Sequence, residues 1–350
     1  MVKRLAFAVP GDLTTPTGGY AYDRRMIAEL KNLGWTIDVV DLGEGFPRVD
    51  AQMRAVAHAK LTAIPERRPI VIDGLAFGVL PEAAASLQGR NPLIALVHHP
   101  LALESGLSNV ETETLRASES ATLAHANWVI VTSAATARLL ASDYRVPAER
   151  ITVARPGSDR VVPATGSRDG VVRLLAVGSL VQRKGYDVLI TTLATLADLP
   201  WRLTIAGDAE RDRATAAAIK NQIARCRLTE RIALAGVVAP ARLAELYLAA
   251  DLFVLASRFE GYGMAYAEAT AYGLPVIGTT AGAIPETLPE GAAILVAPDD
   301  ADALARALRR LIADKDERGR IAAAARAVAA RLPTWRDSAT LFASAISAAT

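Results

Sequence analysis

LFVLASRFEGYGMAYAEATAYGLPVIG, residues 252–278, holds an apolar run, a glycine-punctuated turn, a small-residue helical stretch and a second apolar run. The pattern predicts a strand at 252–255, a helix at 262–272 and a strand at 274–278. Strand, crossover helix and strand form the repeating unit of a parallel sheet. Glu260 stands in the turn, directly before Gly261 and close to Gly263, and Glu268 lies inside the helix. The first N–H groups of a helix have no partner within it, so those near Gly263, Met264 and Ala265 favour an anion. Glu268 lies ~7.5 Å along the helix axis from Gly263. A ligand with a phosphate at the helix tip and hydroxyls on both sides would meet all three features. Taken alone, the two acids are explained equally well by a capping Glu260 and a solvated Glu268.

The same alternation runs outward in both directions. Towards the N-terminus, strands are expected at 172–177, 202–206 and 231–235, with a further series at 4–9, 36–41, 70–73, 93–97, 128–132 and 151–153. Towards the C-terminus a strand is expected at 293–296, followed by Ala- and Leu-rich helices at 300–313, 315–331 and 334–348. The two series are separated by ARPGSDRVVPATGSRDG (154–170), rich in Pro, Gly, Ser and Asp. Such a stretch reads as an interdomain linker. The fold class is α/β, with two doubly wound parallel-sheet domains facing a central cleft. Their expected extents are 1–160 and 161–333, with a helix at 334–350 packing back towards the N-terminal domain.

At 350 residues the chain suits two domains. Basic side chains number 39 and acidic 37, and residues 1–165 carry 17 of each, so no basic stripe for duplex nucleic acid is present. Cys226 is the single cysteine, which excludes an internal disulfide and fits a cytoplasmic setting. The basic start MVKRLAFAVPGDL stops at Pro10 and is expected to be a buried first strand, not a secretory leader. Helix 48–60, basic and apolar, leaves peripheral contact at the inner face of a membrane open. Glu104, Glu111, Glu113 and Glu119, expected on the opposite rim, argue against an anionic surface.

Four further motifs carry chemistry. TPTGGYAYD (15–23) follows the first strand and opens a helix, placing Gly18 and Gly19 where backbone can approach a phosphate, or simply where a turn needs glycine. In VGSLVQRKGYDVLI (177–190), Arg183 and Lys184 sit at a helix start, against the macrodipole. An anion such as a diphosphate would neutralise them; a solvated surface pair is the plainer alternative. HHPLALE (98–104) lies at a strand end, where open α/β sheets place ligands. His98 there is either a site residue or a buried histidine holding its loop; His-His-Pro lacks the spacing of a zinc site. Asp300-Ala301-Asp302 looks like a metal-binding D-x-D, but it follows a proline and opens a helix, so capping explains it.

Taken together, TGGY, LVHHP, VTSAAT, RPGSD, VGSLVQRKGYDVLI, LTIAGD, ALAGVV and the E-x7-E stretch with AYGLPVIG and AGAIPE resemble the family 4 retaining glycosyltransferases, which have two Rossmann-like domains in the GT-B arrangement. The resemblance covers essentially the whole chain. It implies transfer of a hexosyl group from a nucleoside diphosphate sugar, UDP- or GDP-linked, to a hydroxyl of a lipid, glycan or small metabolite. It implies no metal and no separate cofactor. By position, Glu260 would bind the donor sugar and Glu268 the ribose, while Arg183, Lys184 and the N–H groups of Gly263, Met264 and Ala265 would meet the diphosphate, with Gly261 also in the donor site. Gly18 and Gly19 would approach the phosphates, Val238 would contact the base, and His98 would lie near the sugar and incoming hydroxyl. Ser179 stands where the family often has arginine, which implies that Arg183 takes over part of the clamp. A nucleotide-sugar 2-epimerase and a non-catalytic nucleotide-sugar sensor share the architecture and are the alternatives.

Overall fold

The computed structural model describes residues 3–104, 106–288 and 291–350. The chain divides into two compact units, one running to Gly157 and resuming at Pro333–Thr350, the other Ser158–Leu332.

The first unit holds a six-stranded sheet of β1 (Arg4–Val9), β2 (Thr36–Asp41), β3 (Ile70–Asp73), β4 (Leu93–Val97), β5 (Trp128–Val131) and β6 (Ile151–Val153). Its strand order is β2-β1-β3-β4-β5-β6, every pairing parallel. Both β3 and β4 are buried along their whole length, as central strands of a parallel sheet are, and read as apolar runs apart from Asp73 at the end of β3. The helix Trp335–Ala349 belongs to this unit and stacks Phe342 on Phe7, ring centroids 6.3 Å apart.

The second unit repeats the plan with β7 (Val172–Val177), β8 (Trp201–Ala206), β9 (Ile232–Gly236), β10 (Leu252–Val254), β11 (Val276–Thr279) and β12 (Ala293–Val296), in the order β12-β11-β10-β7-β8-β9. These pairings are also parallel.

Departures from the expected elements have local causes. The helix after Glu260 begins at Met264, because Gly263 adopts a left-handed conformation and acts as its N-cap. β11 begins at Val276, after Pro275, which has no N–H for a ladder; its carbonyl accepts from Phe253 instead. Arg183 and Lys184 do not open a helix. They lie on a 3₁₀ turn, Gln182–Lys184, that ends at left-handed Gly185 before the helix Tyr186–Ala194. Two four-residue helices, Gly74–Phe77 and Ile284–Thr287, were not anticipated.

Candidate active site

In the second unit the loop after β10 and the turn after β7 meet. Glu260 is 6% exposed. Its Oε1 accepts from Lys184 Nζ at 2.7 Å and from Ser257 Oγ at 2.7 Å, and its Oε2 accepts from Arg183 Nη1 at 3.2 Å. Burial alone would raise this carboxyl, but Lys184 and Arg183 outweigh it and hold the group down at about 2. Glu260 therefore does not cap the following helix, which has no side-chain cap at all. It is a buried anion that collects two cations within reach of an uncapped helix terminus.

The backbone here is built for close approach. A Cβ on Gly185 would fall 2.0 Å from the Ala256 carbonyl oxygen, and its φ of +64° disfavours any other residue. Tyr186 donates to Gly178 O at 2.7 Å and Tyr266 to Leu255 O at 2.8 Å, fixing the floor. Thr279 Oγ1 donates to Ser257 O at 2.6 Å, and Ala283 N to Glu260 O at 2.9 Å, so the AGAIPE motif holds the carboxylate loop from behind.

Glu268 is half-buried and accepts from Tyr247 Oη at 2.9 Å, so it is not a solvated helix face. Tyr247 stacks on Tyr272 with ring centroids 4.9 Å apart, a rigid backing for that carboxylate. Gly261 and Gly263 are buried, Met264 and Ala265 half-buried, and all lie at or just before the helix start. Val238 is half-buried in the loop that follows β9. β9 is an edge strand of the sheet, three positions from β10 in the strand order.

The first unit holds a separate cluster. His98 Nε2 lies 3.2 Å from Asp23 Oδ1 and 3.4 Å from Asp73 Oδ2. Asp23 is fully buried and Asp73 nearly so, while the His98 side chain is 20% exposed. Burial opposes charge on His98, but the two carboxylates outweigh it and hold the imidazole protonated well above its usual range. Burial also raises the Asp23 carboxyl, against the pull of His98. Asp73 Oδ1 accepts from Leu75 N at 2.7 Å, and the Tyr22 ring meets His98 edge-on at 5.4 Å.

Gly18 and Gly19 form the first turn of the helix Gly18–Asn32, which Thr17 caps through Tyr20 N. Neither glycine has positive φ, so turn geometry is not their use. Gly19 instead packs on the imidazole: a Cβ there would lie 3.2 Å from His98 Cδ2.

Asp23, Asp73 and Ser257 were not picked out from the sequence. Asp23, Asp73 and His98 each offer a donor atom within 4.8 Å of the others, the one such group among the described residues that could gather round a cation. As they stand, a proton on Nε2 shared between both carboxylates accounts for the geometry.

The D-x-D residues do what capping requires. Asp300 Oδ1 accepts from Ala303 N at 2.8 Å at the start of the helix Ala301–Ala313. Glu119 corrects the expected acidic rim: it is 1% exposed and accepts from Leu101 N at 2.9 Å, so it adds no charge to a surface. Among the described residues no helix is long and apolar enough to cross a membrane.

Residues 159–328 match the family model described as glycosyl transferases group 1, and residues 60–161 match the one described as glycosyltransferase family 4. Mannosylfructose-phosphate synthase of Agrobacterium fabrum is 32% identical over 173 residues, 45% of this chain and 38% of that protein. D-inositol 3-phosphate glycosyltransferase of Corynebacterium urealyticum is 29% identical over 277 residues, 70% of this chain and 64% of that protein. The chain thus spans less than two thirds of the length of these curated relatives. Among solved structures, sucrose-phosphate synthase from Thermosynechococcus elongatus superposes with a TM-score of 0.81 at 21% identity, covering 97% of both chains. Anabaena Alr3699/HepE in complex with UDP-glucose gives 0.79 at 19% identity, covering 98% of this chain and 99% of that one. At such identity these two speak for the fold, the two-domain α/β plan of GT-B proteins. With the two family models together reaching from residue 60 to residue 328, the chain belongs to the family 4 glycosyltransferases, and its second unit is their group 1 domain.

Proposed function

We propose that this protein is a retaining glycosyltransferase that moves a hexosyl group from a nucleoside diphosphate sugar to an acceptor hydroxyl without a metal ion. The observation that carries the reading is the buried Glu260 holding Arg183 and Lys184 beside the uncapped start of the helix Met264–Ala271. As the glycosidic bond to the diphosphate breaks, negative charge grows on the leaving group and positive character on the sugar. Fixed cations and N–H dipoles lower that barrier without reorganising. Lysine carries three N–H donors and arginine five, so engagement by Glu260 and contact with a phosphate are compatible. Glu260 also offers acceptor lone pairs to sugar hydroxyls, and Glu268, backed by Tyr247, suits a ribose diol.

A neighbour solved with UDP-glucose supports a uridine donor, with guanosine the alternative base. Relatives named for an inositol phosphate and a mannosylfructose phosphate support a small phosphorylated acceptor, and one named for lipopolysaccharide core biosynthesis supports a lipid-linked glycan as the alternative. The test is release of nucleoside diphosphate from a panel of UDP- and GDP-sugars, with and without pooled acceptors. Acceptor-dependent release that survives chelation, with the anomeric configuration kept in the product by NMR, is the expected result. Conversion of the donor to its C2 epimer, or binding of donors with no transfer to any acceptor, overturns it.

A further inference from the structure

We propose that Arg258 is the positioning residue of the cation pair: it fixes the turn carrying Arg183 and Lys184 against the loop carrying Glu260, and so sets donor affinity. The inference rests on the donor reading above.

The turn needs such a residue. It is a single 3₁₀ turn whose own bonds are Lys184 N to Val181 O at 3.0 Å and Gly185 N to Gln182 O at 3.1 Å. Arg258 holds two consecutive carbonyls of it. Its backbone N donates to Arg183 O at 2.8 Å, and its Nη1 donates to Gln182 O at 2.7 Å. Arg183 returns the link through Nη1 to Phe259 O at 2.8 Å. The guanidinium is itself oriented by two carboxylates, Asp187 through Nη1 at 3.0 Å and Nη2 at 2.7 Å, and Asp299 through Nε at 2.8 Å. A planar fork can serve these partners together, whereas an ammonium cannot.

Two considerations separate this role from the obvious ones. Two carboxylates against one guanidinium already neutralise Arg258, so it is not a third cation for the diphosphate. The side chains are 32%, 53% and 55% exposed for Arg258, Asp187 and Asp299, so water screens the pairs and their contribution to stability is about fivefold in the folding equilibrium, or about 1 kcal/mol. Misplacing a binding group by about 1 Å, by contrast, costs on the order of a hundredfold in rate.

The experiment compares wild type, Arg258→Met and Arg258→Lys by calorimetric titration with UDP and with GDP, steady-state kinetics in donor and acceptor, and amide exchange. Arg258→Met should weaken nucleoside diphosphate binding and raise donor KM about tenfold or more, leaving acceptor KM and the melting temperature nearly unchanged. Exchange at the Lys184 and Gly185 amides should quicken while β10 keeps its protection, and Arg258→Lys should fall between the two. Wild-type affinity in Arg258→Met, or a loss of protection spread over the whole second unit, overturns the inference alone. A wild-type protein that binds neither UDP nor GDP overturns the donor reading, and the inference with it.

Discussion

Lys184 Nζ and Ser257 Oγ share one oxygen of Glu260, each at 2.7 Å, so the lysine is locked by the same carboxylate it neutralises. Removing the ammonium leaves a buried carboxylate with Arg183 and Ser257 as partners. Lys184→Met should therefore cost about 3 kcal/mol of stability, the low end of the range for breaking a buried ion pair, because Arg183 still faces the carboxylate. Its effect on turnover should be larger, about 10²–10³-fold, because the cation acts on charge that grows in the transition state. The double variant Lys184→Met/Glu260→Gln removes the stranded charge and should regain stability without regaining turnover. Thermal melts and donor kinetics on the three proteins check it. Near-normal turnover in Lys184→Met removes the lysine from the mechanism.

Glu260 predicts the acid limb of the stability profile. Its ordinary value is 4.5 and its folded value about 2, so the folded state binds the proton more weakly. The stabilisation is present above 4.5 and is lost as pH falls towards 2, with a ceiling on the order of 3 kcal/mol. Glu260→Gln should show a flatter loss of stability across that window. Denaturant titrations at pH 7, 4 and 3 measure the difference, and parallel wild-type and variant curves would count against the ion-paired site.

Asp300 separates a cap from a metal ligand. Asp300→Ala should cost about 1 kcal/mol, the usual value of an N-cap, and leave turnover and its response to chelators as in wild type. A loss of activity restored by a divalent cation would contradict the capping assignment.

Much of this was legible in the chain, and what was not has a physical pattern. The strands stood out as short β-branched and apolar runs between helical stretches, most plainly where both faces are buried, as in Leu93–Val97. Glu260, Lys184 and Arg183 could be named because each lies in a glycine-marked turn at a strand end. Asp23 and Asp73 could not. They sit on a helix and at the end of β3, and only the order β2-β1-β3-β4 brings both beside His98 at the end of β4. No spacing along the chain encodes that meeting. Glu119 misled for a related reason: its helix, NVETETLRASESATL, carries three glutamates that look alike along the chain, while the Leu101 amide that draws this one inward is 18 residues away.

Glu119 gives a prediction of opposite sign to Glu260. Burial raises its carboxyl to about 8 against an ordinary 4.5, outweighing the Leu101 N–H that favours the charged form. The folded state then holds a proton that the unfolded chain releases, so this contribution to stability is full below 4.5 and is lost as pH rises through 8. Glu119→Gln keeps an acceptor for Leu101 N and never ionises. It should match wild type near pH 5 and exceed it at pH 8.5 by an amount on the order of 1–3 kcal/mol. Melting temperatures across pH 5–9 test this, and a variant less stable than wild type at pH 8.5 overturns it.

Gly19 tests whether the helix start exists to seat His98. Its φ is not positive and it lies in the first turn of a helix, so alanine should be tolerated by the backbone and even favoured by about 0.5–1 kcal/mol. The added Cβ, however, would stand 3.2 Å from His98 Cδ2, a few tenths of an ångström too close. The imidazole is held by buried Asp23 and Asp73 on the same edge, so it cannot yield without lengthening the 3.2 and 3.4 Å contacts to them. Gly19→Ala should therefore lower the melting temperature in spite of the helix gain, because the contacts of His98 to two buried carboxylates are loosened, and should lower turnover about tenfold, consistent with the steep dependence of catalysis on placement. Gly18→Ala, one residue earlier, is the comparison: Gly18 is exposed, so an equal loss there would point to the helix terminus and not to His98. Histidine NMR on the Gly19→Ala protein gives an independent reading, since a displaced ring loses the carboxylates that hold it protonated and should titrate at lower pH than in wild type.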